Sequence, residues 1–270
     1  SVANSSELDR ETYEYISLTV TVSDGERSDD AQVLVYLNDI NEFDPTIEPT
    51  TLSVPENSPN GTLVGRPVAG DKDATDEASL TYSITGGNTG SSRGPLQGNR
   101  TLFNIDANTG DITIADNFDF NREVNDQFVI TVQVRDAGGT TSSAPVTIEI
   151  EDVNEFTPTT SNRTFTVAEN SPEGTAVGTV TGSDQDATAE LSFSIAGGNT
   201  DGAFRIGESS GEISVANPAP IDRETRASFT LNVTVSDGDR SANSTVTANL
   251  NDVNEYAPVY EDAEFTIDEN

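Results

Sequence analysis

The sequence contains no cysteine, histidine, methionine or tryptophan. Without cysteine there can be no disulfide framework, and without histidine or cysteine the zinc sites, Ser-His-Asp hydrolases and thiol enzymes are excluded. The sequence also lacks a signal peptide and any apolar run long enough to span a bilayer. We therefore expect a mature chain or a fragment, with any membrane anchor outside these 270 residues.

Basic residues are also scarce, since 13 lysines and arginines face 47 aspartates and glutamates, for a net charge of −34. Repulsion on this scale argues against nucleic acid or an anionic membrane surface as a partner. The charge admits three explanations: a disordered acidic chain, the solvated surface of a halophile, or acids gathered to hold cations. Strict alternation of apolar residues disfavours disorder. A halophilic surface does not explain why acids return at fixed positions.

One acidic segment occurs three times, at residues 38–45, 151–158 and 251–258. Its copies are 113 and then 100 residues apart, a period of whole domains and too long for a solenoid repeat. Each copy ends with an aromatic residue and, two positions later, a proline. Proline fixes φ and extends its predecessor, so the segment suits a stiff joint after a strand. Its dense oxygen ligands suit a hard cation such as calcium.

Between the acidic segments, apolar and polar residues alternate with a period of two, which predicts strands with one face in a core. Three corresponding runs are residues 16–22, 128–134 and 229–235, and each is followed by a second such run that leads into the joint. Further strand-like runs in the middle of the chain lie at residues 51–54, 61–68, 80–84, 103–105 and 112–114. About seven short strands per hundred residues, without helical periodicity, predict an all-β chain of tandem Greek-key β-sandwiches arranged end to end.

The repeat spacing predicts four parts: the C-terminal part of a repeat at residues 1–43, complete repeats at 44–156 and 157–256, and the start of another at 257–270. Neither partial repeat is expected to bury a sandwich core alone. The repeat at 44–156 is longer by 13 residues, mostly between Gly90 and Leu102, where a Gly/Ser/Asn-rich stretch predicts a surface loop.

Five acidic motifs recur in each repeat outside the strand faces. They are a Pro-Glu-Asn glutamate, an Asp-x-Asp pair, an Asp-Arg-Glu turn, an Asp-Gly turn and the joint. Because each falls between strands, they can collect at the two ends of a sandwich, the lower end of one domain meeting the upper end of the next. The sequences that carry these motifs are Pro55-Glu56-Asn57, Asp71-Lys72-Asp73, Asp222-Arg223-Glu224, Arg135-Asp136-Ala137-Gly138 and the three joints.

In this order, and over effectively the whole chain, these motifs closely resemble the cadherin repeat. The resemblance implies about three calcium ions per joint, held by carboxylates, asparagine oxygens and the carbonyls of the aliphatic and aromatic joint residues. For the first joint it implies Asp9, Glu11, Ile40, Asn41, Glu42, Phe43, Asp71, Asp73 and Asp136. For the central joint it implies Glu56, Asn121, Glu123, Val153, Asn154, Glu155, Phe156, Asp184, Asp186 and Asp237. For the third it implies Glu169, Asp222, Glu224, Val253, Asn254, Glu255 and Tyr256.

The joints depart from the usual family sequence Asp-x-Asn-Asp-Asn-x-Pro, since glutamate stands at the fourth position and phenylalanine or tyrosine at the fifth. Asn121 also stands where the other copies have Asp9 and Asp222, which removes one charge from the central joint. Six carboxylates remain there, a charge of −6 that three calcium ions would balance. Without cations, carboxylates at this density repel one another strongly.

The resemblance favours an extracellular adhesion or structural module, rigidified by calcium at its joints, that binds other copies of itself or another cell-surface protein. A subunit or stalk of an extracellular filament or lattice is an alternative. A polysaccharide-binding module is another, but saccharide sites usually show exposed aromatic residues, and the chain has no tryptophan and six tyrosines. An enzyme is disfavoured, because paired carboxylates such as Asp184 and Asp186 recur at joints, which argues for metal. Adhesion by insertion of an N-terminal tryptophan is excluded.

Overall fold

Strands form nearly all of the regular structure in the computed structural model, which describes residues 2, 8–73, 79–90 and 100–269. Within these ranges the helical segments are two short 3-10 turns, Asn117–Asp119 and Thr200–Gly202. No described helix has the length and hydropathy needed to cross a membrane. The chain divides into two units, Ser1–Val153 and Asn154–Asn270. Most of the loop predicted between Gly90 and Leu102, residues 91–99, lies outside the described residues.

The first unit contains a two-stranded hairpin, β1-β2, and three further sheets with strand orders β4-β11-β10-β7, β5-β9-β8 and β3-β6. Its strands are β1 (Tyr15–Ser23), β2 (Ser28–Tyr36), β3 (Thr46–Ile47), β4 (Thr50–Pro55), β5 (Leu63–Gly65), β6 (Ala69–Gly70), β7 (Thr81–Gly86), β8 (Phe103–Ile105), β9 (Ile112–Ile114), β10 (Gln127–Arg135) and β11 (Thr141–Glu151). Strand β4 pairs parallel with β11, whereas β10 pairs antiparallel with both β11 and β7.

The core of the first unit lies between its four-stranded and three-stranded sheets. Ile130 of β10 is paired with Val146 of β11, and both are fully buried, as is Ile112 of β9. Phe103 and Phe120 add a ring pair with centroids 5.3 Å apart. The polar residues between the apolar ones face away from this core, so the period of two predicted from the sequence is confirmed.

The first strand of this sandwich is split in two, a detail that the predicted run at residues 51–54 does not contain. Strand β3 pairs with β6, and β4 pairs with β11. Pro49 stands between them, but the second unit divides its first strand in the same way, between Thr160 and Arg163, without a proline. The predicted run at 61–68 is likewise shorter in the structure, where β5 covers Leu63–Gly65.

The second unit repeats this topology with sheets β13-β20-β19-β16, β14-β18-β17 and β12-β15. Its strands are β12 (Thr159–Thr160), β13 (Arg163–Ala168), β14 (Ala176–Thr179), β15 (Gly182–Ser183), β16 (Ser192–Gly197), β17 (Phe204–Ile206), β18 (Glu212–Val215), β19 (Ser228–Ser236) and β20 (Ser241–Asn251). Leu231, Val246 and Ile213 are fully buried at its centre. The predicted all-β sandwich architecture is thus confirmed in both units.

Both ends of the chain lie outside these two sandwiches. In the hairpin β1-β2, apolar residues such as Val20 and Val33 are 49% and 42% exposed. After β20, residues 252–269 have no regular secondary structure and are exposed. The domain boundaries derived from the repeat spacing stay predictions.

We predict that Ile130→Ala destabilises the first unit by about 2–5 kcal/mol, because it empties a fully buried site on the central strand β10. Val129→Ala on the same strand is the control, since Val129 is 50% exposed and its truncation should change stability by less than about 1 kcal/mol. Urea unfolding followed by the amide resonances of residues 127–151 measures both. Equal effects of the two variants would contradict the core assignment.

Candidate metal centre

The strands deliver the acidic motifs to the loops at the ends of each sandwich. In the first unit, Glu56 directly follows β4, Asp71 follows β6 and Asp136 follows β10. In the second unit, Asp237 follows β19 in the same way. These acids are therefore held on the ends of paired strands, whose positions the core fixes.

The glutamate of the Pro-Glu-Asn motif clamps two other segments. Glu56 is 2% exposed, and its Oε1 and Oε2 accept the N–H groups of Val153 at 2.8 Å and Arg122 at 2.7 Å. Glu169 accepts the N–H groups of Val253 at 2.6 Å and Arg223 at 2.5 Å in the same way. Each glutamate thus fixes its joint to the Asp-Arg-Glu turn or its counterpart.

The asparagine of the same motif makes the turn that aims this glutamate. Asn57 and Asn170 have φ of 57° and 56°, in the left-handed region that asparagine tolerates better than most residues. Their N–H groups donate to the carbonyls of Phe120 at 3.1 Å and Ile221 at 2.9 Å. The Pro-Glu-Asn motif therefore consists of the end of a strand, then a buried carboxylate, then a residue in a left-handed turn.

The Asp-x-Asp pairs form the same turn in both units. Asp71 Oδ1 accepts the N–H of Asp73, and Asp184 Oδ1 accepts the N–H of Asp186, each at 3.1 Å. The other oxygens of Asp71 and Asp184 are buried and have no hydrogen-bond partner among the described residues. Each turn therefore leaves one carboxylate oxygen without a donor.

In the first unit, Glu11, Asp39 and Asp73 bring carboxylate oxygens within 4.8 Å of one another. Asp73 is fully buried; its Oδ2 accepts the N–H of Phe43 at 3.1 Å, and its Oδ1 has no hydrogen-bond partner within the described ranges. Asp39 was not among the residues predicted for this joint. The signal that could have identified it is its place at the start of the joint motif, where Asp152 and Asp252 recur.

The remaining residues predicted for the first joint lie outside this three-carboxylate cluster. Asp136 is 4% exposed and accepts the Asn41 Nδ2 at 3.0 Å, while Ile40 is exposed. Burial, followed by the charges of Asp73 and Asp39, raises the pKa of Glu42. The hydroxyl of Thr140 is the largest of the influences that lower the pKa of Asp136. Asp9 instead caps its own turn, with Oδ1 accepting the N–H groups of Glu11 and Thr12, each at 3.0 Å.

In the second unit, Asp184, Asp186 and Asp237 form another cluster, with carboxylate oxygens within 4.8 Å of one another. By the repeat motifs they match Asp71, Asp73 and Asp136 of the first unit. The N–H groups of Glu155 and Phe156 donate to Asp186 at 3.2 Å and 3.0 Å. Asp237 Oδ2 is buried without a hydrogen-bond partner in the described part of the chain. The N–H of Arg240 is the largest cause of the lowered pKa of Asp237.

A third cluster contains Glu169, Glu224 and Glu255, again with oxygens within 4.8 Å of one another. A hydrogen bond from its own backbone lowers the pKa of Glu224, but burial and the charges of Glu169 and Glu255 outweigh it and raise that pKa to about 7. The charge of Glu224 is also the main cause of the raised pKa of Tyr256. Asp222 caps its turn as Asp9 does, and Val253 and Asn254 lie in the exposed segment.

Two acids of the central joint approach each other within the first unit, where Glu56 and Glu123 place oxygens within 4.8 Å. Asn121 Oδ1 is buried, and no hydrogen-bond partner for it lies among the described residues. Thr12 and Thr225 donate their hydroxyls to Asp9 and Asp222, but Val124 stands at the matching position after Asn121 and cannot. The asparagine copy of this turn therefore differs in its bonding as well as in its charge.

A family model described as Cadherin domain matches residues 50–151 and 163–251, which is more than half of the chain. The chain belongs to the cadherin family. The matched segments run from the first residue of β4 to the last of β11, and from the first residue of β13 to the last of β20. The cadherin resemblance stated from the sequence is confirmed.

Proteins of similar sequence include Cadherin EGF LAG seven-pass G-type receptor 2 of Mus musculus, 34% identical over 98% of this chain and 9% of the receptor. Protocadherin Fat 4 of Mus musculus is 34% identical over 94% of this chain and 5% of that protein. The chain thus spans less than a tenth of these relatives' length.

Among solved structures, the ectodomain of human Desmocollin-1 superimposes with a TM-score of 0.73 at 26% identity, covering 92% of this chain and 50% of that one. Mouse Cadherin-23 EC22-24 gives a TM-score of 0.54 at 28% identity, covering 91% of this chain and 77% of that one. As a member of the cadherin family, this chain is an extracellular, cell-surface module.

The donor set fits the calcium that cadherin domains generally bind at their linkers. Hard cations take six to eight oxygen ligands, and every candidate here offers oxygen. Buried carboxylate oxygens that lack a donor carry a desolvation cost, which a cation would offset. Asp73 and Asp184 show this in the two units. Metals that prefer nitrogen or sulfur would find neither histidine nor cysteine.

We predict that Glu169→Gln lowers the melting temperature of the second unit in metal-free protein at pH 7. The amide has one acceptor oxygen, whereas the carboxylate accepts two backbone N–H groups with its two oxygens. Thermal unfolding in the presence of a chelator measures this, with the exposed Glu190→Gln as the control for the same chemical change.

The effect should depend on pH with a defined sign. Hydrogen bonds, first of all that from the Val253 N–H, hold the pKa of Glu169 below its ordinary value of 4.5. The stability that this carboxylate contributes is therefore complete above pH 4.5 and lost as the pH falls through the lowered pKa. The difference in melting temperature between wild type and Glu169→Gln should therefore disappear at a pH below the lowered pKa of Glu169. A gap that stays constant down to low pH would contradict the clamp.

Proposed function

We propose that this cadherin segment is a calcium-binding adhesion and structural module whose ions bind at the joints between repeats. The single observation that supports it best is the recurrence of buried carboxylate oxygens without donors in the Asp-x-Asp turns of both units. An acid that merely solvated a loop would be exposed, whereas Asp73 is fully buried and Asp186 is 5% exposed. No catalytic function is proposed.

The residues proposed to hold calcium are those of the three clusters together with the joint residues beside them. In the first unit these are Glu11, Asp39, Asp71, Asp73 and Asp136, and in the second Asp184, Asp186, Asp237, Glu169, Glu224 and Glu255. A complete joint is proposed to take about three ions, as cadherin repeats do. The protein's own residues supply the charge and fix the ligand positions through backbone hydrogen bonds, and calcium supplies the compensating positive charge.

The physical consequence of calcium is stability and rigidity at the joints. The ligands come together only in the folded chain, so calcium binds the folded state and stabilises it by mass action. In addition, a joint whose carboxylates repel one another is held by the ion that they share. Rigid joints would present a binding surface of the array at a fixed position, and the proposed partners are other copies of this chain or another cell-surface protein.

We predict that millimolar calcium raises the melting temperature of the 270-residue chain relative to the same chain in chelator. Asp73→Asn should reduce this increase, since it removes a charge from the first cluster. Loss of this charge should not lower the stability of the chain in chelator, because the substitution also relieves repulsion among buried acids. Asp29→Asn, on the exposed strand β2, is the control for the charge change. Superimposable melting curves with and without calcium would overturn the proposed function.

We predict that Asn121→Asp tightens the calcium-binding step to which Asn121 contributes and leaves the others nearly unchanged. A carboxylate adds charge at a position where Asp9 and Asp222 already carry it, and calcium affinity follows ligand charge. In chelator the variant should be less stable, because Val124 supplies no hydroxyl to the new carboxylate. Calorimetric titration measures the binding steps, with Asn108→Asp in an exposed turn as the control. An unchanged titration would remove Asn121 from the ligand set.

A further inference from the structure

One basic side chain in the second unit occupies the oxygens of a proposed calcium ligand. The Arg240 Nη1 donates to Asn154 Oδ1 at 2.8 Å and also to the Asn154 carbonyl oxygen. Arg240 has only donors and keeps its charge at any physiological pH. Arg240 lies 86 residues after Asn154 in the sequence, and it places a permanent cation at the joint.

The turn after β19 fixes where this guanidinium emerges. The N–H of Arg240 donates to Asp237 Oδ1 at 2.6 Å, and its carbonyl accepts the N–H of Asp237 at 3.2 Å. Asp237 belongs to the cluster with Asp184 and Asp186. The arginine backbone is thus bonded to one ligand of the cluster while its side chain is bonded to Asn154.

The first unit has a different residue at the same structural position. Thr140 donates its N–H to Asp136 Oδ1 at 2.7 Å and accepts the N–H of Asp136 at 3.2 Å, so it matches Arg240 bond for bond along the backbone. Its hydroxyl, however, bonds to Asp136 Oδ2 at 2.5 Å and carries no charge. Asn41 there donates to Asp136 at 3.0 Å. The two turns therefore share their backbone hydrogen bonds and differ in the side chain at this position, a neutral hydroxyl in the first unit and a guanidinium in the second.

We propose that Arg240 is a built-in cation of the joint in the second unit, which orders Asn154 when calcium is absent and competes with calcium for its oxygens. The second part of this inference, competition with calcium, rests on the proposed function. Calcium must take the same kind of oxygen that the guanidinium holds, and two cations cannot share one lone pair at contact distance. The ion beside Asp237 should consequently bind more weakly than its counterpart beside Asp136.

The experiment is a calcium titration of the full 270-residue chain, followed residue by residue by the amide resonances of the turns at 136–140 and 237–240. The variants are Arg240→Thr, which copies the first unit, and Thr140→Arg, which copies the second. Arg163→Thr removes one positive charge from the exposed face of β13 in the same unit and serves as the control. Amide hydrogen exchange of residues 154–156 in chelator gives a readout that needs no calcium.

Arg240→Thr should lower the calcium midpoint of the second turn about tenfold, equivalent to about 1.4 kcal/mol, and speed exchange at residues 154–156 in chelator. Thr140→Arg should raise the midpoint of the first turn, and Arg163→Thr should change neither. Equal midpoints in wild type and Arg240→Thr, or unchanged exchange in chelator, would overturn the role of Arg240 while leaving calcium binding intact. Absence of any calcium response in wild type would instead overturn the proposed function and, with it, the competition.

Discussion

The joints of this cadherin chain depend on one interaction, the acceptance of two backbone N–H groups by a buried glutamate. Glu56 and Glu169 each tie the end of the first sandwich strand to the joint and to a loop before the long hairpin. A carboxylate is a strong acceptor for such paired N–H groups because its charge assists both bonds. Once these glutamates are fixed, the neighbouring acids have little freedom to move apart, and their repulsion becomes a property of the fold.

We propose that cations offset this repulsion in two ways, which the two units use differently. The first unit carries Thr140 in the turn after Asp136, whereas the second carries Arg240 in the turn after Asp237. A guanidinium is always present, and calcium is present only at sufficient concentration. On this proposal, joints built from the same motifs differ in their dependence on calcium, and the side chain next to the Asp-Gly turn produces the difference.

Local patterns account for what could be predicted of the fold. The alternation at residues 128–134 and 229–235 gave the central strands, because one face of each is buried in a core. It did not reveal that the first strand divides at Pro49, since that depends on which sheets β3 and β4 join. Among the candidate site residues, Asp39 was missed although its place in the joint motif recurs, because its approach to Glu11 and Asp73 is set by the fold.

The sequence by itself determined the family, the sandwich and the order of the acidic motifs, because repeat spacing and strand period are properties of the chain read in one dimension. The tertiary structure alone decided which carboxylate oxygens have donors and which do not. It also decided that Arg240, from an unremarkable Asp-Gly turn, holds Asn154 across 86 residues. The packed core places the strand ends, and their positions determine which distant side chains become hydrogen-bond partners. No local sequence pattern encodes the distance between such partners.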